Sequence, residues 1–173
     1  MEFKELESKR LLLVDSDKKY ATDFLRYMDE ETTRYMTNER FNNLQEAEDF
    51  LEICEDMKQR KITYGYVILH KDTKEFIGGC AISNVDYPKP ELGIWIRSDQ
   101  AGHGYGKEAV ECLYVYAREG KEYEGFLYPV DKENRKSIRL VKELGGVPID
   151  EVEDLKKEDG RLLHLMTYIL PKQ

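Results

Sequence analysis

A chain of 173 residues with 40% hydrophobic content has material for one domain around one core. Its formal net charge of −8 argues against general nucleic-acid binding, which needs a basic face, and is compatible with a cationic or amine partner. No apolar run approaches the ~20 residues of a membrane span, and MEFKELESKR at the start carries no apolar leader core, so a cytoplasmic protein without a membrane partner is expected.

RLLLVD, residues 10–15, is a short apolar run and reads as the first strand. In SDKKYATDFLRYMDE, Phe24, Leu25 and Met28 share a helical face, and Asp15, Ser16 or Asp17 is placed to cap it. The polar stretch ETTRYMTNERFNN reads as a loop. Leu44, Ala47, Phe50, Leu51, Cys54 and Met57 then recur at helical spacing. YGYVILH and FIGGCAI, joined by KDTKE, predict a hairpin, and PELGIWIRS a fourth strand. Ala109, Val110, Leu113 and Ala117 define a helix that Gly120 stops. YEGFLYPV reads as a fifth strand. Ile138, Val141 and Leu144 mark a helix ended by Gly145 and Gly146, and GRLLHLMTYIL closes the chain as a strand. One more short strand fits over residues 147–152. The order βααβββαβαβ, mixing hairpins with a crossover, predicts an α/β (α+β) domain with a mixed, mostly antiparallel sheet. Its parallel pair joins the strand at 90–97 to that at 123–130 through the intervening helix. Cys54, Cys80 and Cys112 are widely spaced, form no CxxC pair and read as reduced structural thiols.

Between the fourth strand and the next helix lies AGHGYGK, with Gly102, Gly104 and Gly106 on alternate positions. A helix entrance exposes about four N–H groups without intrahelical partners, and the helix dipole favours an anion there. Glycine permits positive φ and lets phosphate oxygens approach the backbone, and Lys107 adds charge. The alternative is a glycine-rich turn with no ligand. Two phosphate motifs drop out. A P-loop would place Ala101, Gly106, Lys107 and Glu108 at its fixed positions, and Glu108 offers no metal-binding hydroxyl and would repel phosphate. The dinucleotide spacing fails because Lys107 and Ala109 stand where a third glycine is needed, and the early βαβ unit is missing.

GHGYGKEAV resembles the acyl-CoA loop of the GNAT N-acetyltransferases, whose signature is [QR]-x-x-G-x-[GA]; Gly104 and Gly106 match its small positions. LESKRLLL resembles the opening strand of the RimJ/RimL-like branch, which acetylates protein N-termini. PELGIWI resembles its fourth strand, and VDKENRKSIRLVKELGG its second motif, an Asn followed three residues later by Ser. This resemblance implies a single domain over residues 1–173, with a six- to seven-stranded sheet, about four helices, and a splay between the fourth and fifth strands. Three positions depart from the pattern. Ala101 stands where the signature has Gln or Arg, Val141 where many members carry a general-acid tyrosine, and Gly146 where a Phe is usual, leaving the core there less filled.

The resemblance implies acetyl-CoA as co-substrate. Backbone groups of Ile94, Trp95, Ile96 and Arg97 would hold the pantetheine arm, and Gly102, His103, Gly104, Tyr105, Gly106 and Lys107 the pyrophosphate. His103 is otherwise a solvated loop histidine, and Arg135, Lys136 and Arg139 either reach phosphates or form a solvated helix face. Strand alternation puts Glu91, Gly93 and Trp95 on one face. Glu91 is either a base for the amine or an exposed strand-end carboxylate. Asn134 caps its helix, contacts the pantetheine arm, or does both, and Ser137 is either the donor to the thiolate or an ordinary first-turn serine. Tyr35, Tyr64 and Trp95 are expected at the acceptor, with Tyr66, Tyr87 and Tyr128 as further candidates. No His/Cys spacing suits a metal. The expected reaction is direct acetyl transfer to a primary amine in a ternary complex, by a monomer or homodimer. The acceptor is either a protein N-terminal amine or a small molecule, and a non-catalytic acyl-CoA-binding module is the rival reading.

Overall fold

The computed structural model describes residues 2–120 and 122–172. Within them the strands are β1 (Leu6–Glu7), β2 (Leu11–Asp15), β3 (Thr63–His70), β4 (Phe76–Ser83), β5 (Glu91–Ile96), β6 (Phe126–Asp131), β7 (Val147–Lys156) and β8 (Leu162–Leu170). They form one sheet in the order β1-β2-β3-β4-β5-β6-β8-β7, antiparallel throughout except for the parallel β5–β6 pair. The helices are α1 (Ala21–Tyr27), α2 (Leu44–Gln59), α3 (Tyr105–Gly120) and α4 (Arg135–Glu143).

The sheet separates two cores. On one face Phe24 and Met28 of the α1 region and Ala47 and Leu51 of α2 pack on Val67, Leu69 and Phe76. On the other Val110, Leu113 and Ala117 of α3 and Val141 of α4 pack on Leu11, Leu13, Ile68 and Leu92. Alternate residues of β3 serve opposite cores, as the strand period requires. No helix among the described residues is long and apolar enough to cross a membrane.

The expected elements are present, with differences that have local causes. The sheet has eight strands, not six or seven. Two-residue β1 is too short to show a period, and β7, expected over residues 147–152, runs on to Lys156 as an edge strand whose Val147 and Val152 are exposed, so burial imprinted little apolar pattern on it. The helix read from residue 16 starts with a 3-10 turn at Lys18–Tyr20, capped where Asp17 Oδ1 accepts from Lys19 N–H at 2.8 Å. Gly146 fills no emptied core position: a Cβ there would lie 2.7 Å from Val141 Cγ2 and 2.8 Å from Val141 O. Strand β7 therefore passes too close to α4 for any larger residue.

Strands β5 and β6 pair only at Glu91 and Leu127, where Leu127 N–H donates to Pro90 O at 2.8 Å. The next residue of β6 facing the same way is Pro129, which has no N–H to continue the ladder. Beyond that point β5 stays with β4 and β6 with β8, and a cleft opens between them.

Candidate active site

The cleft holds about 570 Å³. Its floor is β4 and β5, one wall is α1, α2 and residues 35–38, and the other is β6 with the start of α4. Arg97 N–H donates to Ile77 O at 3.0 Å, so odd-numbered residues of β5 bond to β4 and even-numbered ones turn the other way. Ile94 and Ile96 therefore present free backbone groups to the gap. Trp95 and Arg97, expected to do the same, present theirs to β4. The Arg97 side chain is only 8% exposed. It donates to Asp99, to Glu75 and to the Phe76 carbonyl, and lies 4.0 Å over the Tyr27 ring; it locks the end of β5. The Trp95 indole lines the cleft against Phe24 and Phe76, with ring centroids 5.4 and 5.7 Å away. A Cβ on Gly79 would lie 2.6 Å from its Nε1, so the second glycine of FIGGCAI makes room for it.

At the entrance to α3, Gly102 and Gly104 have φ of +88° and +80°, a conformation costly to residues with a Cβ. Gly104 O accepts the first helical bond, from Glu108 N–H at 3.2 Å. Among the described residues, none of the backbone N–H groups of residues 102–107 donates to a protein acceptor. At Gly106 a Cβ would meet Leu140 at 3.4 Å and Ile96 at 3.5 Å, ordinary contact distances, so neither packing nor φ demands glycine there. Lys107 Nζ is 3.0 Å from Glu143, which also receives Arg139 Nε at 2.8 Å. Both cations thus sit on the α3–α4 seam, and Arg135, Arg139 and Lys142 outline a shallow groove on α4. The exposed His103 ring stacks on Tyr105 at 5.8 Å, with Nδ1 3.2 Å from Gln100 O.

Glu108 does not oppose an anion at this entrance. Its carboxylate accepts from Arg10 N–H and Nε, both at 2.7 Å, and from the Ser8 hydroxyl at 2.8 Å. Burial works against its charge, yet these donors hold its pKa below the ordinary value. Arg10 also donates to His103 O at 3.0 Å and lies 4.6 Å over the Tyr105 ring, so it braces the glycine loop. Nothing in the sequence flagged Arg10, since its partners lie more than ninety residues away.

Glu91, Tyr128, Asn134 and Ser137 all line the cleft. Burial pushes the Glu91 carboxyl above the usual carboxylate range, and the negative charge of Glu153 adds to the effect. Asn134 caps α4, its Oδ1 accepting from Ser137 N–H at 3.2 Å. Ser137 Oγ lies 2.7 Å from the Tyr128 hydroxyl. Tyr128 is 2% exposed, and burial pushes its phenol up to about 12. Val141, at the position where a tyrosine was missing, is wholly buried; the phenol beside Ser137 belongs to the facing strand.

Tyr35 lines the mouth. Tyr64 does not: it is buried on the α3 face of β3, edge-on to Phe3 at 5.9 Å, one strand period before Tyr66 and away from the opening. Tyr87 is 60% exposed and outside the cleft, whereas Tyr66 borders it. Cys54 and Cys80 also line it, and burial pushes both thiols up, Cys54 to about 11. Among the described residues no group of three or more His, Cys, Asp or Glu side chains is placed to hold a metal.

A mostly antiparallel sheet split at one parallel pair, with a glycine-rich helix entrance beside the split, is the fold of the GNAT acetyltransferases. The profile of the acetyltransferase (GNAT) domain matches residues 10–147, and the chain belongs to that family. It is 27% identical over 149 residues to the uncharacterized N-acetyltransferase p20 of Bacillus licheniformis, covering 85% of this chain and 84% of that one. RimL, the ribosomal L7/L12 alpha-N-protein acetyltransferase in complex with coenzyme A, superposes with a TM-score of 0.81 at 12% identity, over 97% of this chain and 98% of that one. The microcin C7 self-immunity acetyltransferase MccE, in complex with acetyl-CoA and AMP, does so with a TM-score of 0.82 at 17% identity, over 95% and 93%.

Proposed function

We propose that the protein transfers the acetyl group of acetyl-CoA to a primary amine by direct attack in a ternary complex. The observation that carries this reading is the pairing, in one cleft, of a desolvated carboxylate at Glu91 with the Tyr128–Ser137 hydroxyl pair.

The unpaired N–H groups of residues 102–107 suit the pyrophosphate, mainly through backbone because Ala101 has no polar side chain. The gap-facing groups of Ile94 and Ile96 suit the amides of the pantetheine arm. Glu91 takes the proton of the attacking amine as nitrogen bonds to the thioester carbonyl carbon. The C–S bond then breaks, and the thiolate takes a proton from Ser137 Oγ, which Tyr128 replenishes. A buried phenol held protonated is suited to that relay. Direct attack is preferred over an acyl-cysteine because the raised thiol pKa values of Cys54 and Cys80 keep their thiolates scarce.

A peptide or protein N-terminal amine is the first acceptor class, supported by the likeness in fold to RimL. A small-molecule amine is the second, supported by the equal likeness to MccE. A cytoplasmic setting belongs to the same proposal. Thiol release from acetyl-CoA with a panel of amines and peptides, alongside calorimetric titration of coenzyme A, tests it. Tight coenzyme A binding with no turnover on any amine leaves a non-catalytic acyl-CoA-binding module instead.

A further inference from the structure

We infer that the acceptor is a primary monoamine carried on an uncharged, apolar body. The inference rests on the acetyl-transfer reading and concerns the half of the cleft that faces α1 and α2.

Among the described residues that line the cleft, Glu91 is the one acidic side chain, and no lysine, arginine or histidine accompanies it. Three cations near the rim are already engaged. Lys58 pairs with Asp15 and Glu55, Lys157 with Glu39, and Arg161 with Asp159. The lining itself therefore offers one carboxylate for an ammonium group and no cationic partner for a carboxylate or phosphate. A free amino acid would bring a carboxylate into a partly buried cleft with no cation to meet it, and unpaired charge is costly to desolvate. A polyamine would bring a second ammonium group, and the lining holds no second carboxylate to receive it; Glu153, whose charge reaches Glu91, stands outside it.

The wall opposite Glu91 is apolar. Phe50, Ile53 and Met57 of α2 recur at positions 0, 3 and 7 and line the cleft with Phe24 and Trp95. Phe50 packs on Phe24, with centroids 5.9 Å apart, but Ile53 is 54% and Met57 36% exposed. Large apolar groups left open inside a concave site mark the part of the surface that a ligand covers. Uncharged hydrogen-bonding groups, among them Asn38, Thr63 and Asn84, share the lining, suited to an amide rather than an ion.

The test uses the 173-residue chain with acetyl-CoA and four acceptors: phenethylamine, an amidated tripeptide with leucine first, free leucine and spermidine. Steady-state thiol release is measured for each, with calorimetric titration of each into the coenzyme A-loaded protein. One or both of the apolar monoamines is expected to exceed free leucine and spermidine by about tenfold or more in kcat/KM. Preference for phenethylamine identifies a small amine as the source of this chemistry, and preference for the peptide amide an N-terminus. Equal or better use of free leucine or spermidine overturns the inference while leaving acetyl transfer intact. Binding of an apolar monoamine without turnover supports the inference and overturns the enzyme reading. Failure of both apolar monoamines to bind or react overturns the inference. A second arm uses Ile53→Glu, at an exposed position where the fold tolerates polarity. It should lower use of phenethylamine by about tenfold and raise use of spermidine; an unchanged preference contradicts the assignment of this wall to the acceptor.

Discussion

Lys157 Nζ donates to the carbonyl oxygens of Met36 and Asn38, each at 2.8 Å, across more than a hundred residues of sequence. It also donates to Thr33 O at 3.3 Å and pairs with Glu39, and its side chain is wholly buried. One ammonium group at the tip of the β7–β8 hairpin thus fixes the segment that carries Tyr35 and Met36 to the cleft mouth. Lys157→Met removes the donors and leaves buried carbonyls unsatisfied, which costs about 1–3 kcal/mol. Urea titration should show that loss, and steady-state kinetics should show KM rising for the amine more than for acetyl-CoA. An equal rise in both would mean that Lys157 supports the whole domain rather than the mouth.

Tyr128→Phe keeps the buried ring and removes only the hydroxyl beside Ser137. Turnover at saturating acetyl-CoA should fall by about tenfold, and by about a hundredfold for Ser137→Ala. Binding of coenzyme A should change little in either variant. Were Tyr128→Phe to turn over like the parent, Ser137 would act without a relay.

The rate should rise with pH as Glu91 loses its proton, because only the carboxylate accepts from the amine. Burial first and the Glu153 charge second raise that pKa, so the rising limb lies above the ordinary carboxylate range. Glu91→Gln should lower turnover and remove the limb. Glu153→Gln takes away the neighbouring negative charge, so the limb should move to lower pH. A limb that stays in place in both variants assigns the base to another group.

Gly104→Val places a β-branched residue at φ +80°, where even an unbranched L-residue costs about 1–2 kcal/mol. It also sets a side chain where coenzyme A must approach the backbone, so the Kd for coenzyme A should rise at least about tenfold. Gly106→Ala meets the Leu140 and Ile96 side chains at ordinary contact distance and should bind nearly normally. Similar losses in the two variants would refute the division of labour between these glycines.

Much of this was legible in the residues. Asp17 and Asn134 cap helices because a short polar side chain before an apolar period satisfies N–H groups two or three residues on. Gly102 and Gly104 show a loop whose backbone must bend and be approached, and alternation along β5 puts Glu91 and Trp95 on the cleft face while Leu92 enters the core. These are local properties, written by the helical and strand periods and by capping chemistry over a few neighbouring residues. Period alone left Tyr64 and Tyr66 equivalent, because it says which side chains share a face and not where along that face the cleft opens. The Arg10 brace on the glycine loop, the Tyr128–Ser137 contact and the Lys157 anchor each join elements that meet only when the sheet assembles. Pro129 shows the boundary most plainly. Its missing N–H is present in the sequence, but it opens a cleft only because tertiary pairing sets it opposite β5.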